Sequence, residues 1–239
     1  MTNINLNSKI LQKIAALDIN IDSSKQLKLI EQIVKSGELG QKALLDLLVD
    51  RCIIENKEVD SLDGLIYEFL YFKSLEHIKQ KLNSYFHLGL IDLNSSLKFN
   101  YQPLQNLLII HDFKEADKLT QSYLCSLAGL DKNSKRKWLY FTDILAISPE
   151  DLYIIDKLWR LYSRGKFGFS IQRSIWLSNN CNWEKFWFTI GWQNNGTLCR
   201  YPSDFIWNID APSGHLPLFN QLRGVQVILA LFNHSAWNQ

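Results

Sequence analysis

The segment from Ser148 to Gly165, SPEDLYIIDKLWRLYSRG, carries a complete set of helix signals, and helical spacing of apolar residues continues through most of the chain. Ser148 stands at the N-cap, Pro149 in the first turn, Glu150 and Asp151 at the positive end of the dipole, and Gly165 at the stop. Leu152, Ile155, Leu158, Trp159 and Tyr162 form its inner face. A chain dominated by this period buries its apolar stripes helix against helix, so the expected class is all-α.

Up to residue 87 the stripes are plain. Leu27, Ile30, Ile33 and Val34 precede Gly37; Leu44, Leu45, Leu48, Val49 and Cys52 form a second stripe; Leu65, Phe69 and Phe72, then Ile78, Leu82 and Tyr85, form two more. This is the pattern of a small helical bundle, residues 1–87, with the character of an interaction or support module rather than a catalytic one. Residues 88–102 mix turn formers with isolated apolars and are expected to be a linker. A second domain is expected over 103–239. It opens with Pro103 near a helix start, and Asp112 and Glu115 at capping-box spacing begin a helix whose face is Phe113, Ala116, Thr120, Tyr123, Leu124 and Leu127. Residues 130–147 read as a loop, NWEKFWFTIGW as a short helix, Asn195-Gly196 as a turn, and Pro217 onward as the last helix.

Between Trp159 and Trp207 stand 13 aromatic residues in 49, about twice the 13% of the whole chain. Aromatics fill cores, and they also stack on flat conjugated rings, so an apolar cleft for a planar ligand competes here with plain packing. Other chemistries lack their signatures. There is no G-x-S-x-G, P-loop or G-x-G-x-x-G, and the four cysteines are far apart, so they are expected to be reduced and mostly buried. No metal site and no catalytic residue is expected. Paired carboxylates, Asp112 with Asp117 and Glu150 with Asp151, fit helix starts and solvated faces. His215 in SGHLP either ligates a metal or satisfies backbone groups. A net charge of +2 gives no field for a polyanion, although KNSKRKW (132–138) is basic beside a tryptophan, as in single-strand nucleic-acid binders. No apolar run reaches the length of a membrane helix, and no signal or transit peptide is recognised at the N-terminus. Asn220 and Arg223 share a helical face, where the arginine suits a carboxylate.

DFKEADKLT, PEDLYIIDKLWRLYSRGKFGFSIQRSIW, APSGHLPLFNQLRG and FNHSAW together resemble the genomes-uncoupled family of tetrapyrrole-binding regulators of magnesium chelatase, across roughly residues 103–237. By position and helical character, the N-terminal bundle resembles the extra domain of cyanobacterial and algal members. The resemblance implies an all-helical core with a hydrophobic cleft for protoporphyrin IX and Mg-protoporphyrin IX, held as ligands with no obligatory cofactor. It implies a non-catalytic role, stimulation of magnesium chelatase together with that enzyme's large porphyrin-binding subunit. The location implied is a plastid or the cyanobacterial cytoplasm, with peripheral membrane association left open. One cleft wall then consists of Phe205, Trp207, His215, Leu216 and Pro217, the other of Trp138, Leu139 and Phe141, with Asn220 and Arg223 near the carboxylates. Gln226 stands where members often carry a second arginine. Trp159, Trp176, Phe186 and Trp187 are expected mostly in the core, GKFGFS as a structural corner, and Phe167 and Phe169 in either role. The remaining alternatives are a single-stranded nucleic-acid binder and a pure protein-interaction module.

Overall fold

A computed structural model describes residues 2–17, 23–93, 97–130, 136, 138–194, 196–218 and 225–238. The chain divides into two compact units, Met1–Asp92 and Leu93–Gln239. Among the described residues the regular structure is helical apart from one two-stranded hairpin, which agrees with the all-α reading.

The first unit holds α1 (Thr2–Leu17), α2 (Ser23–Val34), α3 (Glu38–Val49), α4 (Ser61–Lys73) and α5 (Glu76–Tyr85). Helix α1 is the one element that no stripe singled out. The stripes meet inside: Ile30, Ile33, Leu44, Leu48, Ile66, Leu70, Ile78 and Leu82 are all buried. Helices α2 and α3 approach so closely that a Cβ on Gly40 would lie 2.0 Å from the Ile33 carbonyl oxygen, which only glycine permits. After α3 the chain makes a π-helical turn, Asp50–Ile54, that swings Arg51 inward. Its guanidinium donates to Asp63 at 2.7 Å and to Asp60 at 2.9 Å. Asp60 and Asp63 also form the capping box of α4, so the ion pairs and the helix start are one structure. Burial dominates there, holding the Asp63 carboxyl above its ordinary range and pushing the Cys52 thiol up to about 12.

The second unit holds α6 (Gln102–Ile109), α7 (Phe113–Leu127), α8 (Phe141–Ile144), α9 (Pro149–Leu161), α10 (Phe169–Ser178), α11 (Trp183–Thr189) and α12 (Val225–Phe232). Between α11 and α12, strands β1 (Gln193–Asn194) and β2 (Thr197–Leu198) pair antiparallel, Gln193 opposite Leu198 and Asn194 opposite Thr197. The start signals act as expected: the Ser148 hydroxyl accepts the Asp151 N–H, and the Asp112 carboxylate accepts the Glu115 N–H. Its core is built on Trp159, which stacks on Phe113 at 6.0 Å between centroids and donates its indole N–H to Thr120. Phe167 and Phe169 are fully buried, which assigns both to packing. Gly168, at φ 131°, makes the GKFGFS corner: a Cβ there would meet the Asp156 carboxylate at 2.8 Å, and that carboxylate accepts both the N–H and the hydroxyl of Ser170.

Three expectations require correction. The cysteines are free but not mostly buried: Cys52, Cys125 and Cys199 are half-buried, and Cys181 is exposed in the turn between α10 and α11, where the chain reverses at positive φ. Asp117 and Asp151 are not on solvated faces but buried. Asp151 accepts the Tyr101 hydroxyl at 2.6 Å and the Lys98 N–H at 3.1 Å, which docks residues 98–101 on α9. The last helix does not begin at Pro217; residues 217 and 218 are non-helical and the described helix starts at Val225.

Candidate functional site

Two segments expected to face each other lie near the same helix, α7. Residues 199–218 form the first. Beneath it, Trp176, Trp183, Trp187 and Trp192 form a continuous stack, the last pair 5.4 Å apart and 10° from parallel. Trp192 donates its indole N–H to the His215 carbonyl at 2.8 Å, and Gln172 donates through one amide nitrogen to the carbonyls of Gly214 and Pro217. Gly168 donates to the Leu216 carbonyl, and the Lys166 ammonium to that of Ile209 at 2.6 Å. A loop with this many bonds to the residues beneath it keeps its shape without regular structure.

His215 is the keystone of this segment and is fully buried. Its Nδ1 lies 2.7 Å from the Ile190 carbonyl, and its Nε2 accepts the Ile206 N–H at 3.0 Å. A carbonyl on one side and an N–H on the other require the neutral tautomer protonated on Nδ1. Burial lowers its pKa, an effect that the bond to the Ile190 carbonyl offsets only in part. Both nitrogens are used by backbone, so of the two roles open to this histidine the structure shows the backbone one. Among the described residues, no group of three or more His, Cys, Asp or Glu is placed to hold a metal ion.

The surface of this segment is aromatic. Trp207 is half-buried, packs edge-on against the exposed Tyr201 and donates its indole N–H to the Pro202 carbonyl. Phe205 is buried between Trp192, Trp207 and the His215 ring. Of the five residues expected on this wall, then, Trp207 reaches the surface, while Phe205, His215, Leu216 and Pro217 lie beneath it. Tyr201 and the exposed Ile206 are surface residues that sequence reasoning missed.

The second segment, described at 136 and from 138 onward, ends in the short helix α8, which packs on α12. Leu139 is fully buried, Trp138 half-buried and Phe141 half-exposed. Tyr140 and Leu145, at 54% and 75% exposure, join Phe141 on the surface and had not been singled out. Arg136 pairs with Asp143, donates to the Trp138 carbonyl and lies over the Tyr140 ring, while Asp143 also accepts the Tyr140 N–H. The guanidinium holds the Asp143 carboxyl below its usual range.

Helix α7 anchors the first and lies near the second. Asp117 accepts the Leu218 N–H at 2.6 Å, and Cys125, two turns on, lies within electrostatic reach of Arg136 and Asp143. Asp117, Gln121 and Cys125 are spaced i, i+4, i+8 and form one row, about 12 Å long, that starts at the anchor of the first segment. Asn220 and Arg223 lie outside the described residues, as does most of KNSKRKW. Gln226 is exposed on the first turn of α12. A separate surface hollow of about 460 Å³ is lined by Asn182, Glu184, Lys185, Phe188, Gln193 and Gly196, none of which was expected at the site.

Residues 94–235 match the family described as GUN4-like, and residues 8–87 match the ARM-like repeat domain found N-terminal to it. The chain belongs to the GUN4-like family. Ycf53 of Porphyra purpurea is 48% identical over 214 residues, 90% of each chain. The chloroplastic tetrapyrrole-binding protein of Arabidopsis thaliana is 36% identical over 146 residues, 57% of this chain and 55% of that one. Among solved structures, GUN4 from Chlamydomonas reinhardtii superposes with a TM-score of 0.57 at 38% identity, covering 62% of this chain and 95% of that one. GUN4-like membership thus rests on the second unit and on a relative matched across nearly the whole chain.

Proposed function

We propose that this GUN4-like chain binds protoporphyrin IX and Mg-protoporphyrin IX between the two segments on α7. The observation that carries this reading is the match to the GUN4-like family over residues 94–235, together with a relative in that family named for tetrapyrrole binding. The geometry supports it. Trp207 and Tyr201 on one side, and Tyr140, Phe141 and Leu145 on the other, offer aromatic and apolar surface to a flat macrocycle across a row about 12 Å long. Phe205, His215, Leu216, Pro217, Trp138 and Leu139 support those surfaces from below, and Asn220 and Arg223 are the proposed carboxylate contacts. In this reading the protein is non-catalytic, stimulates magnesium chelatase through that enzyme's large porphyrin-binding subunit, and works in a plastid or a cyanobacterial cytoplasm.

Titration with each porphyrin, followed by tryptophan quenching and the Soret band, tests the binding. All eight tryptophans lie in the second unit, so quenching reports on the proposed site's own domain. Saturation at micromolar porphyrin is expected, and an unperturbed Soret band with unquenched fluorescence rejects the reading. Addition of the chain to reconstituted magnesium chelatase is expected to raise its rate at limiting porphyrin; an unchanged rate rejects the regulatory part alone.

A further inference from the structure

Most anchors of the 199–218 wall come from beneath it: Trp192, Gln172, Lys166, Gly168 and the carbonyl of Ile190. Asp117 differs in both place and kind. It reaches the wall from α7, bonding Leu218 across 101 residues of sequence, and it does so with a carboxylate that forms no ion pair among the described residues. An asparagine would accept the same N–H without burying a charge, and an unpaired buried carboxylate is costly. The charge therefore makes the bond to Leu218 stronger at the expense of the fold, since charged acceptors hold an N–H about twice as strongly as neutral ones.

We propose that Asp117 is a positioning residue for ligand binding: ionised, it pins Leu218 and holds the Phe205–Trp207 wall against the row Asp117–Gln121–Cys125, and protonated, it loosens that pin. This rests on the tetrapyrrole-binding reading above. The groups that act on its titration are few. Lys118 is its charged neighbour on α7, with Glu115 paired to that lysine at 2.6 Å, and the Tyr201 phenol faces it from the wall. Burial outweighs both the Leu218 N–H and Lys118 and brings the carboxyl up to about 7, so the pin changes strength near neutral pH.

The test compares wild type with Asp117→Asn, which keeps an acceptor for Leu218 but cannot titrate, and with Asp117→Ala, which removes it. Protoporphyrin affinity of the wild type is expected to fall about fivefold to tenfold from pH 8 to pH 6 relative to Asp117→Asn, whose own profile reports the ionisation of the porphyrin alone. Asp117→Ala is expected to bind at least fivefold more weakly than Asp117→Asn throughout. Parallel profiles for wild type and Asp117→Asn overturn the proposal. A second readout needs no ligand: the Leu218 amide resonance is expected to titrate near pH 7 in the wild type and to stay constant in Asp117→Asn. A constant resonance in both overturns the pin whatever binds, whereas a titrating resonance with no porphyrin binding rejects the proposed function and leaves the pin standing.

Discussion

Replacing His215 by alanine isolates the contribution of one side chain to the aromatic wall. Two hydrogen bonds are lost, with unequal consequences. Ile206 is 44% exposed, so water can take over its N–H, whereas Ile190 is fully buried and its carbonyl is left unsatisfied at a cost of about 1–3 kcal/mol. Loss of the ring also opens a void of ~60 Å³ beside Phe205, worth about 1.5 kcal/mol at the usual cost per unit volume. The sum is about 3 kcal/mol, equivalent to a fall in melting temperature of roughly 10 °C for a unit of this size. Urea unfolding followed by tryptophan fluorescence is the appropriate assay, because the tryptophans report on the second unit alone. A loss below about 1 kcal/mol would refute the reasoning, since it would mean that the imidazole is not what closes the Ile190–Ile206 gap.

Trp207→Ala is expected to weaken porphyrin binding several-fold while lowering the melting temperature by no more than about 3 °C, because the ring is half-exposed and its N–H bonds an exposed residue; a large thermal loss with unchanged affinity would place it in the core instead. Arg223→Ala should cost about 1–3 kcal/mol of affinity for the dicarboxylic porphyrin and much less for its dimethyl ester, and equal losses for acid and ester would remove the proposed contact. In the first unit, Arg51→Met leaves the Asp63 carboxylate buried without its cation and should destabilise that unit by about 3–5 kcal/mol, read by far-UV circular dichroism; a change under 1 kcal/mol would show that the π-helical turn tolerates the unpaired charge.

The helical architecture was legible because it is local: the caps at Ser148 and Asp112, the stops at Gly37 and Gly165, and the apolar stripes between them are near neighbours in sequence. The site was legible only in part. The resemblance singled out Phe205 and Trp207, but which of the two faces outward depends on Trp192, Tyr201 and His215. Asp117 and Asp151 look like ordinary helix-surface acids, because their partners, Leu218 and Tyr101, are 101 and 50 residues away. Tyr140 and Leu145 were passed over for a related reason. Alone they are unremarkable apolar residues in a loop, and the Arg136–Asp143 pair, which fixes their surroundings, is itself a contact between residues on either side of Trp138.

The two buried titratable groups that hold the wall act on stability in opposite senses. Asp117 rises from 3.8 to about 7 on folding, so the folded protein binds the extra proton between those values. Its ionisation costs on the order of 4 kcal/mol above pH 7, and that cost is relieved progressively on acidification toward pH 4. His215 is held below its ordinary 6.5, so here the unfolded chain binds the extra proton; the stability this contributes is whole above about pH 6.5 and is lost as the pH falls. Between pH 7 and pH 5 the two trends offset each other. Asp117→Asn is therefore expected to be more stable than wild type at pH 8 and to lose stability more steeply below pH 6.5, with the His215 contribution left unopposed. Urea midpoints measured from pH 8 to pH 5 decide this: if Asp117→Asn and wild type run parallel, the Asp117 carboxyl does not titrate in this window, and the buried charge under Leu218 is held by something other than the balance of burial against the Leu218 N–H and Lys118.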